Sequence, residues 1–119
     1  MMFSNFQLKR IQELSDGVIL KNSQSEHMNS ALYFGYRVEG LSVTFYEVLP
    51  KNEILNVKTC SDMIRAEYNS YDNKWIVFFR NCYGDWNLYL PLSSVCRFEK
   101  IIEEIDLFIS NRILLVAFQ

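Results

Sequence analysis

The spacing of apolar residues predicts two helices, one near each end of the chain. The C-terminal pattern is the clearer one and predicts a long helix between Ser93 and Asn111, capped by Ser93 or Ser94. Its apolar positions are Val95, Phe98, Ile102, Ile105 and Ile109. The N-terminal pattern predicts a short helix over Phe3–Leu14, which the segment Ser15-Asp16-Gly17 would end.

Strands are predicted where apolar and polar residues alternate. The residues Leu32–Val38 and Leu41–Phe45 alternate on either side of Glu39-Gly40, which predicts a hairpin. The run KWIVFFR, residues 74–80, lies between turn-rich segments and predicts a central strand. A further strand is predicted in WNLYLPL, where Pro91 lacks an amide donor and therefore belongs near the strand's end or on an edge.

The segments between these elements are less regular. Val18–Leu20 predicts the start of a strand, and the polar residues Lys21–Ser30 predict a loop. Residues 50–52 predict a turn, followed by a strand over 53–59, a break at 60–62, and either a strand or one helical turn over 63–68. The apolar run Ile113–Phe118 does not alternate, as expected of a strand that is covered on both faces.

Together these patterns predict the α+β class. We expect an antiparallel sheet of about five to seven strands packed against a long C-terminal helix, with a short N-terminal helix and a final buried strand. The chain has 119 residues, half of them hydrophobic, and no repeat or linker, so we expect one domain over residues 1–119. A core of that size needs no metal or disulfide to support it.

Charge and cysteine content narrow the functional classes. The formal net charge is −2, whereas nucleic-acid-binding proteins usually carry a basic patch, so we expect no nucleic-acid partner. The three cysteines show no CxxC spacing, which favours free thiols in a cytoplasmic protein. Cys60 and Cys96 are expected to be buried and Cys82 to be exposed in a turn. The first residues do not resemble a secretory signal, and no apolar run approaches the roughly 20 residues that span a bilayer.

Candidate chemistry is sparse. His27 is the single histidine, so any histidine-dependent catalysis would have to be built around this one predicted loop residue. No phosphate-binding, metal-binding or nucleophile motif occurs. We therefore predict a protein that is not an enzyme and has no cofactor. An enzyme that uses His27 remains an alternative.

Surface recognition is the better-supported class of function. Glu99, Glu103 and Asp106 lie at i, i+4 and i+7 on one side of the predicted C-terminal helix, with Glu104 close by. Such a face often only solvates a helix, yet it would also attract a basic partner. Tyrosine and arginine, which are enriched in interface hot spots, are predicted in turns or on polar strand faces at Tyr33, Arg37, Tyr68, Tyr71 and Tyr83.

The segment KWIVFFRNCYGDWNLYLPLSSVCRFEKIIEEI, which runs from strands into an acidic helix, resembles the immunity proteins that bacteria carry against secreted toxins, such as those of contact-dependent growth inhibition. The resemblance implies a cytoplasmic, non-catalytic inhibitor that forms a one-to-one complex with the catalytic domain of a cognate toxin. If that toxin is a nuclease, acidic side chains would complement its basic face.

Two groups of residues are the resulting candidates for partner binding. The first is the acidic group Glu99, Glu103, Glu104 and Asp106. The second lies in the turns flanking the central strand and consists of Tyr71, Tyr83 and Asp85. The alternative to an inhibitor is a small-ligand-binding or regulatory domain with an apolar pocket between sheet and helix.

Overall fold

The computed structural model describes residues 2–23, 33–52 and 57–117, and in them it confirms the α+β class. These residues form two α-helices and six strands, and the strands form one antiparallel sheet. In chain order they are α1 Asn5–Ser23, β1 Tyr33–Glu39, β2 Ser42–Asn52, β3 Val57–Asn69, β4 Lys74–Arg80, β5 Trp86–Leu88, β6 Ser94–Val95 and α2 Phe98–Ala117.

The sheet is a meander in which β1 to β5 are neighbours in sequence order. One edge of β4 pairs with β3 over residues 74–79, and its other edge pairs with β5 near its C-terminal end and with β6 near its N-terminal end. The prediction that residues 74–80 form a central strand is therefore confirmed. Pro91 lies in a short 3₁₀ turn, Leu90–Leu92, that separates β5 from β6, as expected of a residue that cannot donate to a ladder.

The predicted first hairpin is also confirmed, because β1 and β2 pair in register from Tyr33–Val48 to Glu39–Ser42. Gly40 in the connecting turn has a φ of 56°, a conformation that glycine adopts without steric cost. The turn predicted at residues 50–52 is wrong, since β2 continues to Asn52.

The break predicted at residues 60–62 is wrong as well, and so is the helical turn considered for 63–68, because β3 is continuous from Val57 to Asn69. The irregularity in the sequence is instead absorbed by a bulge. Phe45 pairs with Ile64, but the next residue, Tyr46, pairs with Asp62, so Met63 is an extra residue in β3.

Helix α1 is longer than predicted. It passes through Gly17, so the strand expected at Val18–Leu20 and the first residues of the expected loop Lys21–Ser30 are helical. The buried stripe of α1 includes Ile11 and Ser15 before Gly17 and continues after it with Val18 and Asn22. Because two of these positions are polar, the apolar pattern fades before the helix ends. The rest of that predicted loop, with His27, lies outside the described residues.

The start of α1 is a capping box. The backbone N–H of Ser4 donates to Oε1 of Gln7 over 3.0 Å, and the backbone N–H of Gln7 donates to Oγ of Ser4 over 3.1 Å. These two bonds satisfy amide donors that have no partner within the helix.

Helix α2 begins at Phe98, so neither Ser93 nor Ser94 caps it, and it continues to Ala117. The final strand predicted at Ile113–Phe118 is therefore wrong, with Phe118 itself outside the described residues. An apolar run of this length fits a buried helix as well as a strand, and nothing between Ile109 and Ile113 stops the helix. The helices have 19 and 20 residues, so the predicted contrast between a short and a long helix is wrong too.

Both helices pack on the same face of the sheet and form one core with it. The sheet contributes the buried residues Val43, Phe45, Ile64, Ala66, Trp75 and Val77. The helices contribute Ile11, Val18, Phe98, Ile101, Ile105 and Ile109. Neither helix combines the length and the apolar character needed to cross a membrane, as far as the described residues go.

No described element covers the opposite side of the sheet, which we call the open face. By strand register it carries Arg37, Tyr46, Asp62, Arg65, Phe78, Arg80, Trp86 and Leu88.

Candidate functional site

The open face is organised around an ion pair that spans three strands. Arg37 lies on β1 and reaches across β2 to Asp62 on β3. Its Nη1 and Nη2 atoms donate to the two carboxylate oxygens of Asp62, each over 2.8 Å. This two-pronged geometry fixes the planes of both groups, and charged hydrogen bonds of this kind are the stronger ones in proteins.

Arg65 lies in the same row of the sheet as Arg37, two strands away on β3. The register places Thr44 between Arg37 and Arg65, and Thr44 is only 4% exposed. Nε of Arg65 donates to Oγ1 of Thr44 over 3.4 Å, while its guanidinium carbon lies 4.4 Å from the ring centre of Trp86. The arginine is therefore held against an aromatic face, an arrangement that stabilises a cation.

The ring of Tyr46 is a second aromatic group of the open face that lies near an arginine. It lies across Gly35 on the neighbouring strand, and the guanidinium carbon of Arg37 is 6.0 Å from its centre. Two aromatic rings of the open face, those of Tyr46 and Trp86, are thus each associated with an arginine.

Arg37 and Asp62 keep their charges across the neutral pH range. The hydrogen bonds from Arg37 hold the pKa of the Asp62 carboxyl below its usual value, and the positive charges of Arg80 and Arg65 act in the same direction. The hydrogen bonds to Asp62 also raise the pKa of Arg37. Arg37 donates a further bond from Nε to Glu39 over 2.6 Å.

The Arg37–Asp62 pair is an ion pair whose pKa values lie away from neutrality. Arg37 and Asp62 pair with each other, and neither has a pKa shifted toward neutrality, as that of a general acid or base would be. Within residues 2–23, 33–52 and 57–117 no three His, Cys, Asp or Glu side chains are grouped so that they could hold a metal ion.

The acidic residues predicted on α2 are all engaged with other side chains. Glu99 lies 3.3 Å from Arg10 of α1 and 3.6 Å from Arg97. Asp106 binds Lys21 of α1 over 2.8 Å and accepts a hydrogen bond from Asn22 over 3.0 Å. These two carboxylates therefore join the two helices.

The other two acids make weaker or different contacts. Glu104 accepts a hydrogen bond from the hydroxyl of Tyr89 over 2.7 Å, and burial together with this bond raises the pKa of Tyr89 to about 12. Glu103 lies 3.5 Å from Lys100 in its own helix and is 68% exposed. Glu103 is thus the predicted acid with most freedom to meet a partner.

The second predicted group is divided by the fold. Tyr71 lies in the turn between β3 and β4, whereas Tyr83 and Asp85 lie in the turn between β4 and β5, at the other end of β4. Both tyrosines are almost fully exposed, at 95% and 87%. The Oδ1 atom of Asn81 accepts hydrogen bonds from the backbone N–H groups of Tyr83 and Asp85, and these bonds order the turn.

Two of the other surface expectations need correction. Tyr68 lies on the face covered by the helices, with its ring centre 5.1 Å from that of Trp75, so the prediction of a recognition role on a free strand face is wrong. Cys96 is exposed and not buried, and Cys82 is exposed as predicted; both thiols are free. The side chains of Tyr33 and Cys60 lie outside what the structure describes.

Sequence reasoning identified Arg37 but missed Tyr46, Asp62, Arg65 and Trp86. A usable signal existed for Arg65, since it alternates with the buried residues Ile64 and Ala66. The bulge at Met63 hid the placement of Asp62 because it shifts the alternation by one residue.

Comparison with known proteins identifies a family for this chain. No curated protein and no solved structure matches the chain. A family model described as a domain of unknown function, DUF3024, matches residues 3–109. Since this match covers most of the 119 residues, the chain belongs to the DUF3024 family.

Proposed function

We propose that this protein is a non-catalytic inhibitor that binds another protein through the open face of its sheet. The observation that carries the proposal is the pairing of Arg65 with Trp86 and of Arg37 with Asp62 on a side of the sheet that no described element covers. Arginine, tryptophan and tyrosine are the residues most enriched in binding hot spots. Here their side chains are already held in place, which lowers the entropy cost of binding.

The charge pattern favours a protein partner over a nucleic acid. The arginines of the open face alternate with Glu39, Asp62 and Glu67, the last of which lies 4.0 Å from Arg65. These carboxylates would repel the phosphates of a nucleic acid. Counterion release would therefore add little to its binding affinity. A protein surface of mixed charge can pair with both signs.

The partner that we propose is the catalytic domain of a bacterial toxin, in a one-to-one complex, as the resemblance to immunity proteins implies. In that complex the open face would contact the toxin and block its active site or an adjacent surface. Glu103 on α2 is the remaining candidate from the acidic group, and Tyr71, Tyr83 and Asp85 stay candidates at the two ends of β4.

The test is to capture the partner with tagged protein from lysate of the native organism and to repeat the capture with open-face variants. The variants are Arg65→Glu, which reverses a central charge, and Trp86→Ala, which removes the ring beneath it. Lys9→Glu is the matched control because it makes the same charge reversal at an exposed position of α1. Thermal melting of each variant checks that it is folded.

The proposal predicts a stoichiometric protein partner that Lys9→Glu retains. Arg65→Glu should weaken binding about 30-fold, since loss of a central hot spot costs about 2 kcal/mol or more. Retention of the partner by both open-face variants would refute the open face as the site. Recovery of nuclease-sensitive material in place of a protein would refute a protein partner, because aromatic sheet faces can also stack bases.

The acidic group is tested separately with Glu103→Lys. Binding that is lost with this variant but kept with Arg65→Glu would move the interface to α2. A partner without a toxin domain would leave a protein-binding function and exclude the immunity assignment.

A further inference from the structure

A second site lies at the end of the molecule where the chain enters α1 and α2, on the side of the sheet that the helices cover. It is a pocket of about 250 Å³. Trp75 lines it and is surrounded by three other rings, with centres 5.5 Å away for Phe3, 5.1 Å for Tyr68 and 4.9 Å for Phe98. Phe6 also lines the pocket, yet it is 82% exposed.

The mouth of this pocket carries an unbalanced charge. Arg10 and Arg97 both approach Glu99, at 3.3 Å and 3.6 Å. One carboxylate between two guanidinium groups leaves one positive charge in excess. The two arginine side chains are 53% and 75% exposed, so both can turn toward a ligand at the mouth.

We propose that this pocket binds a small planar aromatic carboxylate. The exposed ring of Phe6, with the edges of the buried rings of Phe3, Trp75 and Phe98, offers an apolar aromatic surface to a planar body. The excess positive charge at the mouth complements an anion, and a guanidinium group matches a carboxylate in geometry. Ligand pockets usually measure about 300 Å³ or more, so a smaller pocket limits the ligand to one or two rings.

This site is independent of the open face, because it uses the opposite side of the sheet. Either proposal can therefore fail without affecting the other.

The two tryptophans provide a direct test. Trp86→Phe leaves Trp75 as the single tryptophan, and its emission then reports on the pocket alone. The probe is phenylacetate, with phenylacetamide as its uncharged counterpart. We expect a saturable change of Trp75 emission with phenylacetate and about tenfold weaker binding of the amide, as expected for loss of a charged hydrogen bond.

The free thiols give a second readout in the unmodified protein. Cys96 lines the pocket, whereas Cys82 lies in the turn between β4 and β5 and serves as an internal control. Phenylacetate should slow the alkylation of Cys96 by iodoacetamide and leave that of Cys82 unchanged, as followed by peptide mass spectrometry.

Substitution at the mouth tests the role of charge. Arg97→Gln should remove most of the preference for the carboxylate over the amide, while Lys9→Gln, which removes an exposed charge outside the pocket, should keep it. The proposal is overturned if Trp75 does not respond to phenylacetate, if the amide binds equally well, or if Cys96 and Cys82 are alkylated at unchanged rates.

Discussion

The ring of Tyr46 lies directly across Gly35 on the adjacent strand. A Cβ atom built on Gly35 would lie 2.6 Å from the Tyr46 hydroxyl oxygen and 2.7 Å from the ring carbon Cζ. The absence of a side chain at residue 35 therefore allows the ring to lie flat on the open face, where it remains within reach of Arg37.

Gly35→Ala should consequently displace the Tyr46 ring and lower the free energy of unfolding by about 1–2 kcal/mol, as other overpacked positions do. The measurement is urea unfolding of the single variants and of the double variant with Tyr46→Ala. With the ring removed, Gly35→Ala should be neutral or stabilising, because alanine loses less backbone entropy than glycine. Equal effects of Gly35→Ala in both backgrounds would show that the ring does not need the glycine.

Gly17→Ala should raise the free energy of unfolding by about 0.5–1 kcal/mol. Residue 17 lies inside α1, and nothing lies within 4 Å of a Cβ atom built there. Alanine therefore gains helix propensity without a clash. Chemical unfolding of the variant provides the measurement.

Gly84→Ala is the matched comparison and should be destabilising. Gly84 has a φ of 87°, and its Cβ atom would lie 3.2 Å from an Nη atom of Arg80. If both alanine variants shifted stability in the same direction, this account of the glycines would be wrong.

Asp62→Asn should cost about 1–2 kcal/mol at neutral pH, since a partly buried, two-pronged ion pair with Arg37 is lost. The pKa of Asp62 is lowered in the folded protein, so the folded state stabilises the ionised form. Its contribution is present above the unfolded pKa of about 3.9 and is lost as the pH falls through the lower folded value.

The difference in stability between the parent protein and Asp62→Asn should therefore shrink as unfolding is followed from pH 7 into the acid range. Asp72→Asn, which alters an exposed carboxylate in the turn between β3 and β4, is the control and should change stability little at any pH. A gap between Asp62→Asn and the parent that did not depend on pH would contradict the ion-pair account.

Comparison of Asp106→Lys with Glu103→Lys should distinguish an acid that joins the two helices from an acid that contacts only its own helix. Asp106→Lys loses the contacts with Lys21 and Asn22 and places two ammonium groups together, so we expect a loss of about 1–2 kcal/mol. Glu103 is 68% exposed, and its reversal should change stability by less than about 0.5 kcal/mol.

Thermal melting of both variants checks this prediction. Adding Lys21→Asp to Asp106→Lys should recover part of the loss, because the ion pair is restored with its charges exchanged. Lack of any recovery would mean that the Lys21–Asp106 contact does not stabilise the helix pair.

The first hairpin and the central strand could be predicted from the sequence because alternation is a local property of a strand with one buried face. The helix ends could not. A glycine such as Gly17 is typical of the end of a helix. Here α1 extends beyond it, because Val18 and Asn22 are buried in the interior and their packing stabilises the helical conformation. The residues after Asn111 were predicted to be a strand because a short apolar run can belong to a buried strand or to a buried helix.

The candidate site was predictable only in part for a similar reason. The acids on α2 were correctly placed on one helix, but a helical pattern carries no information about Arg10 and Lys21, which lie about 85 to 89 residues away in sequence. Only the packing of α1 against α2 brings these charges together.

By itself, the sequence determined the α+β class, the antiparallel hairpins and the supply of apolar residues for one covered sheet face, because each of these follows from local periodicity. The tertiary structure alone decided which strands are neighbours and which side chains meet. Asp62 and Ile64 would share a face in a regular strand, yet the extra residue Met63 directs Ile64 to the core and Asp62 to Arg37 on the open face. The physical reason is that register and bulges depend on pairing with distant residues, which no local pattern encodes.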